Sequence, residues 1–260
     1  MGTFHSRLFA WVLLSTCLWS TITQGRSNDQ QRFVSRSSQV GLLELYTSEG
    51  CSSCPPADRW LSQVKSAPNL WHDFVPVAFH VDYWNYLGWQ DRFAQPAFSQ
   101  RQRRYAREYG EPTVYTPGLR WNGSEWRGWR SVMAPVVNTG QEVGVLRLLI
   151  NAPGQFEAQF HTTAAPRGRQ SRTLTVAILG MDLVSNVARG ENRGRLLRHD
   201  FVVLGMHRFA EQKQGSWSGQ LPRPHQASSQ YAVVAWVTQG NRLTPLQATG
   251  GYLYRHLLTK

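Results

Sequence analysis

Cys51 and Cys54, with two serines between them in Glu49-Gly50-Cys51-Ser52-Ser53-Cys54-Pro55-Pro56, carry the clearest chemistry in the chain. A Cys-x-x-C pair serves either as half of a zinc site or as a dithiol that exchanges with other disulfides. No second pair follows, so a four-cysteine zinc site is excluded. A disulfide across so short a loop restrains an unfolded chain little. A purely structural staple is therefore a poor use of the two thiols. The thiolate is the attacking species, and a helix N-terminus stabilises it. A helix beginning at this motif makes Cys51 the nucleophile and Cys54 the thiol that resolves the mixed disulfide.

Three further positions carry candidate chemistry. Glu44 is a lone carboxylate in an apolar run, seven residues before Cys51. Burial raises the pKa of such an acid, which can then relay a proton to or from the resolving thiol. The plain alternative is an acid at a strand edge bonded to a backbone donor. His80 shares a strand face with Asp82; two thiolates and one imidazole form a copper-friendly set with Cys51 and Cys54. A lone strand histidine is otherwise a satisfied structural residue. Thr116-Pro117 stands directly before a short strand, and thioredoxin-like proteins place a cis-proline there, facing the cysteine pair.

The elements that must position these residues are legible as patterns. Val40 to Tyr46 is an apolar run broken only by Glu44, the mark of a buried strand. Ala57, Trp60, Leu61 and Val64 recur at helical spacing directly after the cysteines. Val75, Val77, Phe79 and Val81 alternate with smaller or polar residues, as in a strand. A second helix is read over 95–109, with Phe98, Tyr105 and Tyr109 inward and Arg101, Arg103, Arg104 and Arg107 outward. A strand over 118–121 turns back through Asn122-Gly123, a two-residue hairpin signal. A short helix interrupted by proline is read near 131–138. The order β-α-β-α-β-β-α is that of an α/β thioredoxin-like domain, assigned to residues 40–140. From Val143 onward short strand-like runs recur between turn signals, which predicts an all-β, sandwich-like C-terminal domain over 143–260. In that part Arg189-Gly190-Glu191-Asn192-Arg193-Gly194-Arg195 reads as a polar turn without chemistry of its own. The tryptophans at 84, 89, 121, 126 and 129 serve either core packing or a stacking surface among arginines.

The N-terminus reads as a signal peptide over 1–25, with an apolar run from Leu8 to Ile22 that is too short to span a bilayer. Residues 26–39, polar and rich in serine and arginine, read as a flexible leader. These features predict an exported product, periplasmic or secreted, with no membrane span in the mature chain. The net charge of +12 is carried mostly by arginine. In an exported protein nucleic acid is not the expected partner; anionic envelope polymers, lipid headgroups or plain solvation account for such a surface.

Three stretches, ELYTSEGCSSCPPAD, AFHVDYWNYLGWQDRFAQPAFSQRQRRYA and VYTP, resemble the uncharacterised secreted bacterial family called domain of unknown function 1223. The later RGENRGRLLRHDFVV is similar to that family's C-terminal part. The resemblance runs from Val40 to the end of the chain. It implies a thioredoxin-like fold and carries the thioredoxin roles to Cys51, Cys54 and Pro117, but it implies no activity. Ser-Ser between the cysteines differs from the Gly-Pro of thioredoxin and the Pro-His of strong oxidants.

The leading expectation is an exported thiol-disulfide oxidoreductase or isomerase that needs no cofactor and acts on protein thiols or disulfides of the cell envelope. Two alternatives stand beside it. One is a copper-binding or metal-delivery protein using Cys51, Cys54 and His80; the other is a binding module with an inert disulfide.

Overall fold

The computed structural model describes residues 1–2, 29–132, 140–162 and 171–258. Nearly all of the expected signal peptide and most of the expected helix over 131–138 lie outside these residues. The first described element is a strand, β1 (Gln30–Val34), inside the stretch read as a flexible leader. Its composition is polar, but Phe33 is buried and lies opposite Leu148 in antiparallel pairing with a distant strand. Low hydrophobicity argues for disorder only where no partner strand supplies hydrogen bonds, and here one does.

β2 (Gly41–Thr47) and β3 (Phe74–His80) are buried along their whole length and pair in parallel, Leu45 opposite Ala78. Between them α1 (Pro55–Gln63) buries Ala57, Trp60 and Leu61 of the expected stripe. Its two prolines fall in the first turn, where a missing N–H removes no intrahelical bond. α2 (Pro96–Tyr109) follows and stops at Gly110, whose φ of 67° is the left-handed cap that glycine adopts freely. β4 (Gly118–Trp121) pairs antiparallel with β2, and β5 (Ser124–Glu125) returns along β4 across Asn122-Gly123. Both turn residues have positive φ, as a primed hairpin turn requires.

The remaining strands are β6 (Gly144–Asn151), β7 (Gln155–Thr162), β8 (Arg172–Met181), β9 (Leu183–Asn186), β10 (Leu196–His199), β11 (Val202–Ala210), β12 (Ser216–Gln220), β13 (Gln230–Gln239) and β14 (Pro245–Leu253). They do not form a sheet set of their own. β8, β11, β13 and β14 continue the sheet of β2 and β3, in the order β14-β13-β8-β11-β3-β2-β4-β5. The join is the parallel pairing of β11 with β3, where the Ala78 N–H donates to the Phe201 carbonyl at 2.8 Å. A four-stranded sheet, β1-β6-β7-β12, and the β9–β10 hairpin complete the architecture.

The fold class read from the sequence is therefore corrected. The chain is mostly β, with 44% strand against 16% helix and two α-helices among the described residues, not an α/β thioredoxin-like domain followed by a separate sandwich. Periodicity reports which face of a strand is buried, but it does not report what pairs along its edge. The open edge of β3 takes β11 from the second half of the chain, and the local β-α-β-α reading dissolves into one broad sheet.

Successive residues of β8 serve two cores, as strand geometry dictates. Leu174, Val176 and Ile178 pack with Leu146, Ile150, Phe156 and Trp217 of the four-stranded sheet. Ala177, Leu179 and Met181 join the core built on β2, β3 and both helices. Each fully buried aliphatic side chain of this kind contributes roughly 1.5–3 kcal/mol, so the strands shared by both cores tie the two halves of the chain together. Among the described residues no helix is long and apolar enough to cross a membrane.

Candidate functional site

Cys51 and Cys54 sit where β2 runs into α1. The turn after β2 is closed by the Cys51 N–H donating to the Ser48 carbonyl at 3.2 Å and the Gly50 N–H donating to Ser48 Oγ at 3.1 Å. Gly50 passes so close to Trp84 that a Cβ there would meet the Trp84 Cβ at 3.0 Å. Cys54 holds the N-cap position of α1, its carbonyl accepting from the Ala57 and Asp58 N–H groups. The two cysteines are joined as a disulfide with their Cα atoms 5.4 Å apart, and both are buried, at 1% and 0% exposure.

Pro117 is brought to this pair. The Thr116–Pro117 peptide is cis, and the Thr116 carbonyl oxygen lies 3.8 Å from Cys51 Sγ. The same carbonyl accepts from Ser53 Oγ at 3.5 Å, and Thr116 Oγ1 accepts from Trp84 Nε1 at 2.7 Å. Trp84 stacks in turn on Tyr86, which is largely exposed. Trp126 and Trp129, by contrast, pack against Trp60 beside the core.

Glu44 has other partners. Its carboxylate accepts from Arg101 Nε at 2.8 Å and Nη2 at 3.1 Å, from Tyr105 Oη at 2.5 Å and from Tyr46 Oη at 2.9 Å. Arg101, expected to face outward, is buried between Phe98 and Tyr105 on the inner face of α2. Burial, and then the Glu44 carboxylate, hold both phenols well above the ordinary tyrosine range.

His80 is fully buried, and its Nδ1 lies 2.7 Å from Asp91 Oδ2. Burial disfavours the imidazolium, but Asp91, then Asp58 and Glu49, outweigh it and raise the pKa from 6.5 to about 8. The same contact helps hold the Asp91 carboxyl below its usual range despite burial, with the Glu49 and Phe93 N–H groups contributing. Among the described residues no three His, Cys, Asp or Glu side chains are grouped so as to hold a metal ion.

What the sequence did not announce is the company His80 keeps. Its ring lies 4.9 Å from that of His199, edge to face. His199 Nε2 stands 3.3 Å from Glu49 Oε1, and His199 Nδ1 stands 3.9 Å from Asp58 Oδ2. Trp89 Nε1 donates to Glu49 Oε2 at 2.7 Å. Five ionisable side chains thus meet, from the Cys51 turn, α1, β3, the loop before α2, and β10. Asp58 had a readable signal: it stands four residues after Cys54 and three before Leu61, on the buried flank of the helical stripe. Burial raises its pKa, the two histidines offsetting part of the rise. His199 had none, because nothing local links it to residues so far back in the chain.

The His80–Asp91 pair makes a test of pH. The folded pKa lies above the unfolded 6.5, so the stabilisation is full below about pH 6.5 and lost as pH rises through about 8. A rise of that size corresponds to about 2 kcal/mol. Urea midpoints taken from pH 6 to 9 will fall accordingly, and Asp91→Asn will flatten that fall; a flat wild-type profile would mean the pair is not ionised in the fold.

Two solved structures share this architecture. Protein AGR_C_4864 from Agrobacterium tumefaciens is 24% identical, with a TM-score of 0.58 over 87% of this chain and 97% of that one. HBP35 of Porphyromonas gingivalis is 14% identical, with a TM-score of 0.53 over 86% of this chain and 78% of that one. At these identities the likeness is one of fold. No curated protein matches the chain. Residues 42–238, which hold β2, the disulfide, the buried histidines and nearly all of the broad sheet, match the family described as Protein of unknown function (DUF1223), and the chain belongs to that family.

Proposed function

We propose that the protein is an exported thiol-disulfide oxidoreductase or isomerase working through Cys51 and Cys54 on protein thiols of the cell envelope. The observation that carries this reading is the placement of the disulfide at the start of α1, with the Thr116 carbonyl 3.8 Å from Cys51 Sγ. There the helix dipole stabilises a thiolate when the bond opens. A partner thiolate attacks Cys51 Sγ; the Sγ–Sγ bond breaks, and its electron pair leaves on Cys54, which takes up a proton. A second partner thiolate then attacks the partner sulfur of the mixed disulfide and expels Cys51 as a thiolate. Two electrons pass from the partner dithiol to the pair, and the partner leaves as a disulfide. The reverse sequence reduces a partner disulfide, and neither direction needs a further cofactor.

The burial of both sulfurs favours a second reading, a binding module whose disulfide stays closed. The reduction potential separates the two. Equilibration with glutathione or dithiothreitol, followed by alkylation, is expected to give a value between about −120 and −270 mV, the range of working catalysts. A value below about −300 mV would instead assign the pair to a permanent staple.

A further inference from the structure

The loop 187–195, whose residues 189–195 read from the sequence as a polar turn without chemistry of its own, lies on the Cys51 turn. Asn192 is completely buried, and its Nδ2 donates to the Glu49 carbonyl at 2.8 Å and to the Cys51 carbonyl at 2.9 Å. Its Oδ1 accepts from Arg195 Nη1 at 3.0 Å, which fixes the carboxamide. The exposed Glu191 carboxylate accepts from the Ser52 N–H at 3.1 Å. Two acceptors and one donor of the backbone at Glu49, Cys51 and Ser52 are therefore met by side chains, not by a neighbouring strand, the Cys51 carbonyl accepting also from the Cys54 N–H at 3.2 Å.

We propose that this loop is a strap occupying the docking edge of an extended polypeptide partner, which displaces it to reach Cys51. The inference rests on the exchange reading and names its substrate class. Attack on Cys51 requires a thiolate to approach its Sγ, which is buried with Ser53 Oγ and the Thr116 carbonyl beside it, in a turn whose backbone the strap holds. An extended chain offers the N–H and C=O complement that Asn192 and Glu191 now supply. Next to this edge Trp84, hydrogen-bonded to Thr116, and the exposed Tyr86 stacked on it offer apolar contact to the partner's side chains.

The strap is built to leave. Between the buried Val187 and Leu197 the only buried residue is Asn192, so hydrogen bonds and not apolar packing hold it down. Segments with few buried apolar contacts open most readily. Gly190 and Gly194 flank Asn192 with φ of 75° and 80°, conformations that glycine enters and leaves at little cost.

The test uses the full oxidised chain and two reductants: dithiothreitol, and reduced, unfolded ribonuclease A as a cysteine-bearing polypeptide. Asn192→Ala is expected to speed reduction by dithiothreitol about tenfold, the weight of two hydrogen bonds. It should also lower the KM for the polypeptide. Asn192→Asp, which keeps the size and loses the donors, should give the same acceleration; a packing role alone would be rescued by it. Glu191→Ala, at an exposed position, carries the test should the buried variants fail to fold, with an acceleration of about threefold. A folded Asn192→Ala that reacts with dithiothreitol at the wild-type rate overturns the strap. A faster reaction with dithiothreitol and an unchanged polypeptide KM overturns the docking edge. The potential, measured on the same samples, reports separately on the exchange reading, because relative rates with dithiothreitol need only a reducible disulfide.

Discussion

Arg101→Met will destabilise the fold by about 3–5 kcal/mol, the cost of leaving a buried charge without its partner. Glu44 is fully buried in β2, and Arg101 reaches it from α2 through two nitrogen–oxygen contacts, at 2.8 and 3.1 Å. Tyr46 and Tyr105 fill the remaining acceptor positions, and they cannot neutralise a carboxylate left alone. The double variant Glu44→Gln/Arg101→Met removes both charges and should recover most of the loss, since replacing a buried ion pair by neutral groups is often nearly free. Urea midpoints of the two single variants and the double variant measure the coupling directly. The double variant also decides what Glu44 does. An unchanged pH profile of disulfide reduction assigns the carboxylate to the core, whereas a shifted profile assigns it to the thiols.

Cys54→Ser will accumulate a one-to-one mixed disulfide between Cys51 and a polypeptide thiol, while Cys51→Ser will exchange at the uncatalysed rate. The reasoning lies in the position of the two sulfurs. Both are buried, but Cys51 is in the turn beside the Thr116 carbonyl, whereas Cys54 is held in the cap of α1. A partner therefore meets Cys51 first, and only Cys54 is placed to release it. With serine at Cys54 the resolving step is lost, because a hydroxyl does not attack a disulfide at neutral pH. Incubation with glutathione-oxidised polypeptide, followed by acid quench and intact-mass measurement, reads the adduct. No adduct with Cys54→Ser, under conditions where a control thiol reacts, would favour the closed staple.

The parts of the fold that were legible in the sequence are those whose cause is local. The apolar run of β2, the stripe Ala57, Trp60 and Leu61, the alternation of β3 and the Asn122-Gly123 turn each state their own geometry within a few residues. The cysteine pair was legible for the same reason, and so was its place at a helix start, because Pro55-Pro56 fits only a first turn. Arg101 was misread although its spacing from Phe98 and Tyr105 places it on the inner face. Its charge argued for solvent, and the carboxylate that justifies burying it lies on another element.

By itself, the sequence determined that the Cys-x-x-C pair would sit between a buried strand and a helix, and that Pro117 would stand directly before a short strand. Tertiary structure alone decided that β11 would close the edge of β3 and merge the two halves into one sheet. It alone gathered Glu49, Asp58, His80, Asp91 and His199 and tied Asn192 to the backbone carbonyls of Glu49 and Cys51. The physical reason is range. Periodicity and turn chemistry act through neighbours along the chain, while edge pairing and charge burial depend on which distant groups arrive with a complementary hydrogen bond or charge.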